Sequence, residues 1–257
     1  MATAPTSARS GWTMYLPPLP REHGSWAALL LPVGAAAMVL GVSGRSLLLT
    51  AAAGVAFFGR AAWQVRGNAR QHPWADWWLG AWAAAAALLV GLLLPGPGGP
   101  ALALVATTGM VAEATAQWLG RRGGWQSLAG DLAGATESAL LVVAYALARS
   151  GAIGRPAWEL SAITLLFWVG STFRVRAQLR ERLNPRFRWL TLAVHVLAMA
   201  LAGMIGGLLG AVLVVPLLHA AWLNLKLTRP GPSLQVGVRE IGHAVLFVVL
   251  VGVLHRI

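Results

Sequence analysis

Ala202-Gly203-Met204-Ile205-Gly206-Gly207-Leu208-Leu209-Gly210 sits in the middle of an apolar run that extends from Trp189 to Leu225. Its reading decides the fold. If Gly206-Gly207 is a turn, the run is two membrane spans and the chain has nine; if it is only a kink, the chain has eight and its C-terminus changes sides. Glycine suits either role, because it adopts backbone conformations closed to other residues. The choice therefore falls to the charges elsewhere.

That the chain crosses a membrane follows from its composition. Of 257 residues 57% are hydrophobic and 11% charged, with a mean hydropathy of +0.66. Soluble domains carry about a quarter charged residues, and the apolar runs here are long enough to cross a bilayer. The expected fold is all-α, a polytopic integral membrane protein. Nine spans lie near Ser25–Val42, Leu47–Val65, Trp77–Leu94, Ala101–Trp118, Ser127–Ala148, Trp158–Val175, Trp189–Met204, Leu208–Leu225 and Glu240–Leu254. Ser25 suits an N-cap of the first. Pro95-Gly96-Pro97-Gly98-Gly99-Pro100 closes the third with a turn no helix crosses.

With the N-terminus in the cytoplasm, the inner side receives sixteen basic residues and the outer side four, namely Arg45, Arg149, Arg155 and Arg256. Cytoplasmic loops are enriched in Lys and Arg, so the asymmetry favours nine spans, with the N-terminus inside and the C-terminus outside an inner membrane. Eight spans would move the last basic loop outward. Residues 1–19 read as a polar cytoplasmic tail, lacking the apolar core of a signal peptide. Residues 20–257 form one transmembrane domain. The net charge of +12 is accounted for by these loops, and with no separate basic domain nucleic acid is not an expected partner. Absence of cysteine excludes disulfides, thiolate metal sites and Cys nucleophiles. Most of the 13 tryptophans fall near span ends, as an interfacial aromatic belt would.

Ionisable residues inside spans are costly and mark candidate sites. Here they gather toward the inner ends: Glu113 in the fourth span, Asp131 in the fifth, His195 in the seventh, His219 in the eighth, Glu240 and His243 in the ninth, with Glu137 deeper, near the middle of the fifth. Arg21, Glu22 and His23 precede the first span. The outer half holds only Glu159 and His255, at span ends. A water-accessible cavity opening to the cytoplasm would satisfy these groups. The basic stretch from Arg174 to Arg182 continues the sixth span inward. Arg176 and Arg180, four residues apart, share a helical face, whereas Arg174 and Arg182 point elsewhere. They serve either as a positive-inside stop beside lipid phosphates or as clamps for an incoming anion.

The remaining signals are weaker. A histidine inside a bundle is more often a hydrogen-bond partner between helices than a ligand. Glu240-x-x-His243 has the spacing of di-iron bundles, but those need two copies and further carboxylates, so no metal is expected. His195 and His219 on facing helices suit a haem. No nucleophile signature or phosphate-binding loop is present.

Pro20-Arg21-Glu22-His23-Gly24-Ser25-Trp26, followed by an apolar run containing Pro32, resembles the opening of the YwiC-like membrane protein family. Ser171-Thr172-Phe173-Arg174-Val175-Arg176 through Arg182, His195, and Val236-Gly237-Val238-Arg239-Glu240-Ile241-Gly242 are similar to its later motifs. The resemblance implies a membrane location and no particular reaction. Nine spans with polar groups on the cytoplasmic face also resemble UbiA-type prenyltransferases, by analogy of architecture. In those enzymes two aspartate-rich motifs, in the second–third and sixth–seventh loops, hold Mg²⁺ against a prenyl diphosphate. Here the first place, Asn68 to Asp76, has one carboxylate, and the arginine stretch has only Glu181. A hard divalent cation has no cage there.

The expected function is binding of an amphipathic anionic ligand, a lipid phosphate or quinone-like molecule, in the cytoplasm-facing cavity. Arg21, Glu113, Arg176, Arg180, His195 and His219 are its candidate ligand-binding residues. Glu22, His23, Glu240 and His243 are the candidates for any catalysis. The alternatives are a UbiA-like transferase without the magnesium motifs, a haem-binding membrane protein, and a transporter, although no internal repeat supports the last.

Overall fold

The computed structural model describes residues 17, 23–66, 72–123, 128–226 and 233–257, and of residues 23–25, 117, 119–123, 226 and 233 only the backbone. Among these the secondary structure is helical, without strands. The helices are α1 (His23–Leu40), α2 (Gly44–Val65), α3 (Ala75–Leu93), α4 (Gly99–Gly123), α5 (Leu128–Ser150), α6 (Arg155–Leu179), α7 (Pro185–Gly206), α8 (Val214–Lys226) and α9 (Ser233–Leu254).

The glycine pair is a reversal. α7 stops at Gly206, Gly207 takes φ +55°, a left-handed conformation open to glycine, and a 3-10 stretch, Gly207–Leu213, leads back into α8. Gly210 lies against the chain it has just left: a Cβ there would stand 2.5 Å from Gly203 N and 2.6 Å from Ala202 C. At the far end of the hairpin, Asn224 Nδ2 donates to the Arg188 carbonyl at 3.0 Å. Pro216 falls in the first turn of α8, where its missing N–H has no intrahelical partner to lose.

Cross-helix contacts show the odd-numbered helices running one way and the even-numbered ones the other. Parallel α1 and α9 meet at Gly34 with Val248 and at Gly252 with Met38. α5 runs along α1, with Ser138 Oγ donating to Ala28 O and the Tyr145 hydroxyl to Gly41 O. α6 runs against α9, Phe167 and Phe247 rings lying 4.6 Å apart. α5 and α6 form the inner layer: Val142 through Ala148 are all buried, as are Leu160, Ile163 and Phe167.

The outer helices turn large apolar side chains outward, among them Leu88 and Leu92 of α3, Val196 and Leu197 of α7, and Val245 and Val249 of α9. A water-soluble surface rarely carries so much. Five described helical segments are long and apolar enough to cross a membrane: Gly44–Val65, Ala75–Leu93, Leu128–Ser150, Pro185–Leu225 and Leu234–Leu254. The fourth contains the reversal at Gly207 and so holds both α7 and α8. Trp26–Leu40, within α1, is apolar but shorter.

Helix limits differ from the sequence expectation where polar residues continue a helix. α1 is already helical at His23, which places Ser25 inside the helix and not at its cap. α6 extends to Leu179, beyond the expected end at Val175, and α9 begins at Ser233, ahead of Glu240. Hydropathy marks where a helix meets the headgroups; hydrogen bonding continues beyond that point. Some span-end tryptophans are packed inward: Trp26, Phe57, Phe58, Trp82 and Trp78 form a chain of ring contacts at 5.1 to 6.1 Å across α1, α2 and α3.

Candidate functional site

α6 carries a stripe at alternating spacings of three and four: Thr164, Phe167, Ser171, Arg174 and Gln178, all buried. These residues share a helical face. Below Phe167 the stripe turns polar, and there it meets Glu240 of α9 and His195 of α7. Arg174 is fully buried and grips Glu240 side-on: Nε donates to Oε1 at 3.0 Å, and the adjacent Nη2 donates to Oε2. Ser171 Oγ donates to the same Oε2 at 2.7 Å. Arg174 Nη1 lies 3.0 Å from His195 Nε2, while His195 Nδ1 lies 2.7 Å from the Thr191 carbonyl.

These partners assign the imidazole tautomer. Arginine can only donate and a carbonyl can only accept, so Nε2 accepts and Nδ1 carries the hydrogen. Local sequence supports this placement. Gly170 lets the imidazole approach α6, since a Cβ there would stand 3.0 Å from Nε2. Thr191 Oγ1 donates to the Phe187 carbonyl at 2.9 Å, one turn back. The result is a neutralised, multiply hydrogen-bonded ion pair joining three helices away from water. Such a pair is stable only when its charges and spare hydrogen-bonding positions are matched.

The other expected site residues fall into further groups. Arg176 and Arg180 both reach Asp131 Oδ2 of α5, at 3.1 and 3.4 Å. Arg60 of α2 bridges two carboxylates, Glu113 of α4 at 3.1 Å and Glu137 of α5 at 3.5 Å. His219 of α8 and His243 of α9 stand face to face, with ring centroids 4.8 Å apart, and His243 Nδ1 is 3.8 Å from Glu240 Oε1. Arg21 and Glu22 lie outside the described residues, as does the side chain of His23. Helix polarity places all three described groups toward one end of the bundle.

Arg174 is the residue that sequence reasoning turned away from the site. The signal that would have found it is the buried stripe on α6, once the helix is continued to Leu179. As for the positions compared with the prenyltransferase motifs, Asp76 pairs with Arg66 at 3.1 Å and Glu181 accepts from Asn184 at 3.1 Å. The expected haem pair does not present two open nitrogens, because both nitrogens of His195 are engaged. His219, Glu240 and His243 do offer three metal-ligand atoms within 4.8 Å of one another.

An open cleft of about 760 Å³ lies where α6 passes into α7, lined by Arg180, Arg182, Arg186 and one carboxylate, Glu181, together with Leu179, Leu183, Asn184 and Pro185. The start of α7 faces this junction. Asn184 caps it by accepting from Phe187 N at 3.2 Å, and Pro185 occupies its first turn. Three guanidinium groups, a helix N-terminus and two leucines thus surround one opening, beside the end of the bundle that holds the buried ion pair; the one carboxylate among them, Glu181, is engaged by Asn184.

Taken together, these helices are those of a multi-pass membrane protein with its polar side chains tied together toward one end. A family model described as YwiC-like protein matches residues 19–146, and the chain belongs to the YwiC-like family. The match covers α1 to α4 and most of α5; Arg174, His195, His219, Glu240 and the basic cleft lie beyond it. No curated protein and no solved structure matched the chain.

Proposed function

We propose that this YwiC-like protein crosses the inner membrane nine times, with its N-terminus in the cytoplasm and its C-terminus outside, and binds an amphipathic anion at its cytoplasmic end. The cleft between α6 and α7 carries the reading. Arg180, Arg182 and Arg186 supply forked donors suited to phosphate or carboxylate oxygens. The N-terminus of α7 adds its positive dipole end. Leu179 and Leu183 offer an apolar wall to the ligand's tail. The ligand class is a lipid phosphate or a quinone-like molecule with an acidic head. Arg176, anchored on Asp131, positions this arginine face from within the bundle.

Mass spectrometry of lipids retained by detergent-purified protein tests the reading. Replacing Arg180, Arg182 and Arg186 by Gln removes three positive charges from the cleft and leaves the Arg174–Glu240 pair untouched. The expected outcome is a several-fold loss of anionic lipid or quinone-like ligand, with zwitterionic lipid unchanged. Equal retention by the triple variant would refute the assignment.

A further inference from the structure

We infer that His219, Glu240 and His243 form a binding site for one divalent transition-metal ion of the zinc class. This site is separate from the anion cleft and does not depend on it. Three observations converge. His219 Nδ1 and His243 Nδ1 are both buried, and neither has a hydrogen-bond partner among the described residues. Their rings face each other from α8 and α9 with centroids 4.8 Å apart. Glu240, one helical turn before His243 on the same face, presents Oε1 at 3.8 Å from His243 Nδ1, too far for a hydrogen bond but close enough for two ligands of one ion.

Burying a polar nitrogen with no partner forfeits the hydrogen bond that water would have given it. Two such nitrogens on neighbouring imidazoles beside a carboxylate would be an expensive coincidence as packing alone. Coordination would satisfy both.

The donor set selects the ion. Two imidazoles and one carboxylate, without thiolate, suit zinc and the neighbouring first-row divalent ions; calcium and magnesium prefer all-oxygen cages. The three ligand atoms lie within 4.8 Å of one another. A tetrahedral zinc with bonds of about 2.0–2.1 Å holds its ligands roughly 3.4 Å apart, so side-chain rotation has to draw them inward. Glu240 is already oriented for this by Arg174 and Ser171, in the manner of outer partners that fix a metal-binding carboxylate. His243 is one helical turn from Glu240, and His219 comes from the helix that the Gly207 reversal returns to the site. Three protein ligands leave a fourth position for water or an exogenous ligand.

Cobalt(II) is the probe, added to the full chain purified in detergent through a tag without histidine and first stripped with chelator. The expected result is one equivalent of Co²⁺ per chain, with visible absorption bands of tetrahedral intensity, displaced by Zn²⁺. His219→Ala and His243→Ala should each weaken binding at least tenfold, and the pair together should abolish it. His255→Ala, at the far end of the bundle, should leave it unchanged. His219→Gln and His243→Gln, which keep volume and polarity, serve if an alanine variant fails to fold. Failure of the wild-type chain to take up Co²⁺, or one equivalent surviving removal of both imidazoles, would overturn the site.

Discussion

Replacing Arg174 by Gln tests whether the α6–α9 ion pair lies in a dry interior. The change removes two of the three donors that reach Glu240 and the one that reaches His195, leaving Ser171 Oγ on a carboxylate whose side chain is 8% exposed. Breaking a buried ion pair by removing one partner costs about 3–5 kcal/mol, because the surviving charge is left uncompensated. A neutral hydrogen bond between membrane helices averages only about 0.6 kcal/mol, since the unfolded chain in a membrane also finds partners. The two magnitudes separate the possibilities. Arg174→Gln should destabilise by about 3–5 kcal/mol and Ser171→Ala, whose hydroxyl bonds a charged carboxylate, by about 1–2 kcal/mol. Arg174→Met with Glu240→Met removes both charges and should cost less than Arg174→Gln alone, leaving a coupling of at least about 2 kcal/mol. The assay is unfolding in dodecyl maltoside titrated with sodium dodecyl sulfate, followed by far-ultraviolet circular dichroism. An Arg174→Gln cost no larger than that of Ser171→Ala, or additive costs in the double variant, would refute the reasoning.

Two further outcomes follow from the hairpin and the proposed orientation. Gly210→Ala places a Cβ 2.5 Å from Gly203 N, backbone that cannot yield as a side-chain end would, and should destabilise by about 1–3 kcal/mol in the same titration. Gly203→Ala, with open space around its Cβ position, should be neutral or stabilising by up to about 1 kcal/mol; equal effects would argue against this packing. Because the chain has no cysteine, single cysteines at exposed Leu183 and Ile257 report sidedness without background. In intact cells a membrane-impermeant maleimide should label Ile257→Cys and spare Leu183→Cys until lysis. Labelling of both from outside would rule out the nine-span arrangement.

The helical bundle was legible because a membrane leaves few choices: apolar runs of span length must be helices when lipid surrounds them. The turn at Gly206-Gly207 needed more, and the charge asymmetry favoured the reversal that Gly207 makes with its positive φ. What hydropathy could not supply was where each helix ends. Leu234, Val236 and Val238 precede Glu240 within α9 but alternate with Gln235, Gly237 and Arg239, so an apolar window begins too late. At the end of α6 the same effect made Arg174 look like the start of a basic stop sequence, although it lies within the helix.

That error bears directly on which arginine is buried. Successive helical residues are about 100° apart, so Arg174 and Arg176 stand about 200° apart and face different neighbours. Arg174 therefore goes to α7 and α9, while Arg176 and Arg180 go to α5. Paired i,i+4 arginines are the more visible pattern, but the group on the apolar stripe is the one withdrawn from water. The consequence is a division of labour along α6. Its buried face ties the bundle together through Glu240, which also stands beside His219 and His243. The face one turn further leans on Asp131 and opens into the basic cleft. Asp131 belongs to the segment matched by the family model and Arg176 does not, so this pair joins the recognised half of the chain to the half that carries both proposed sites.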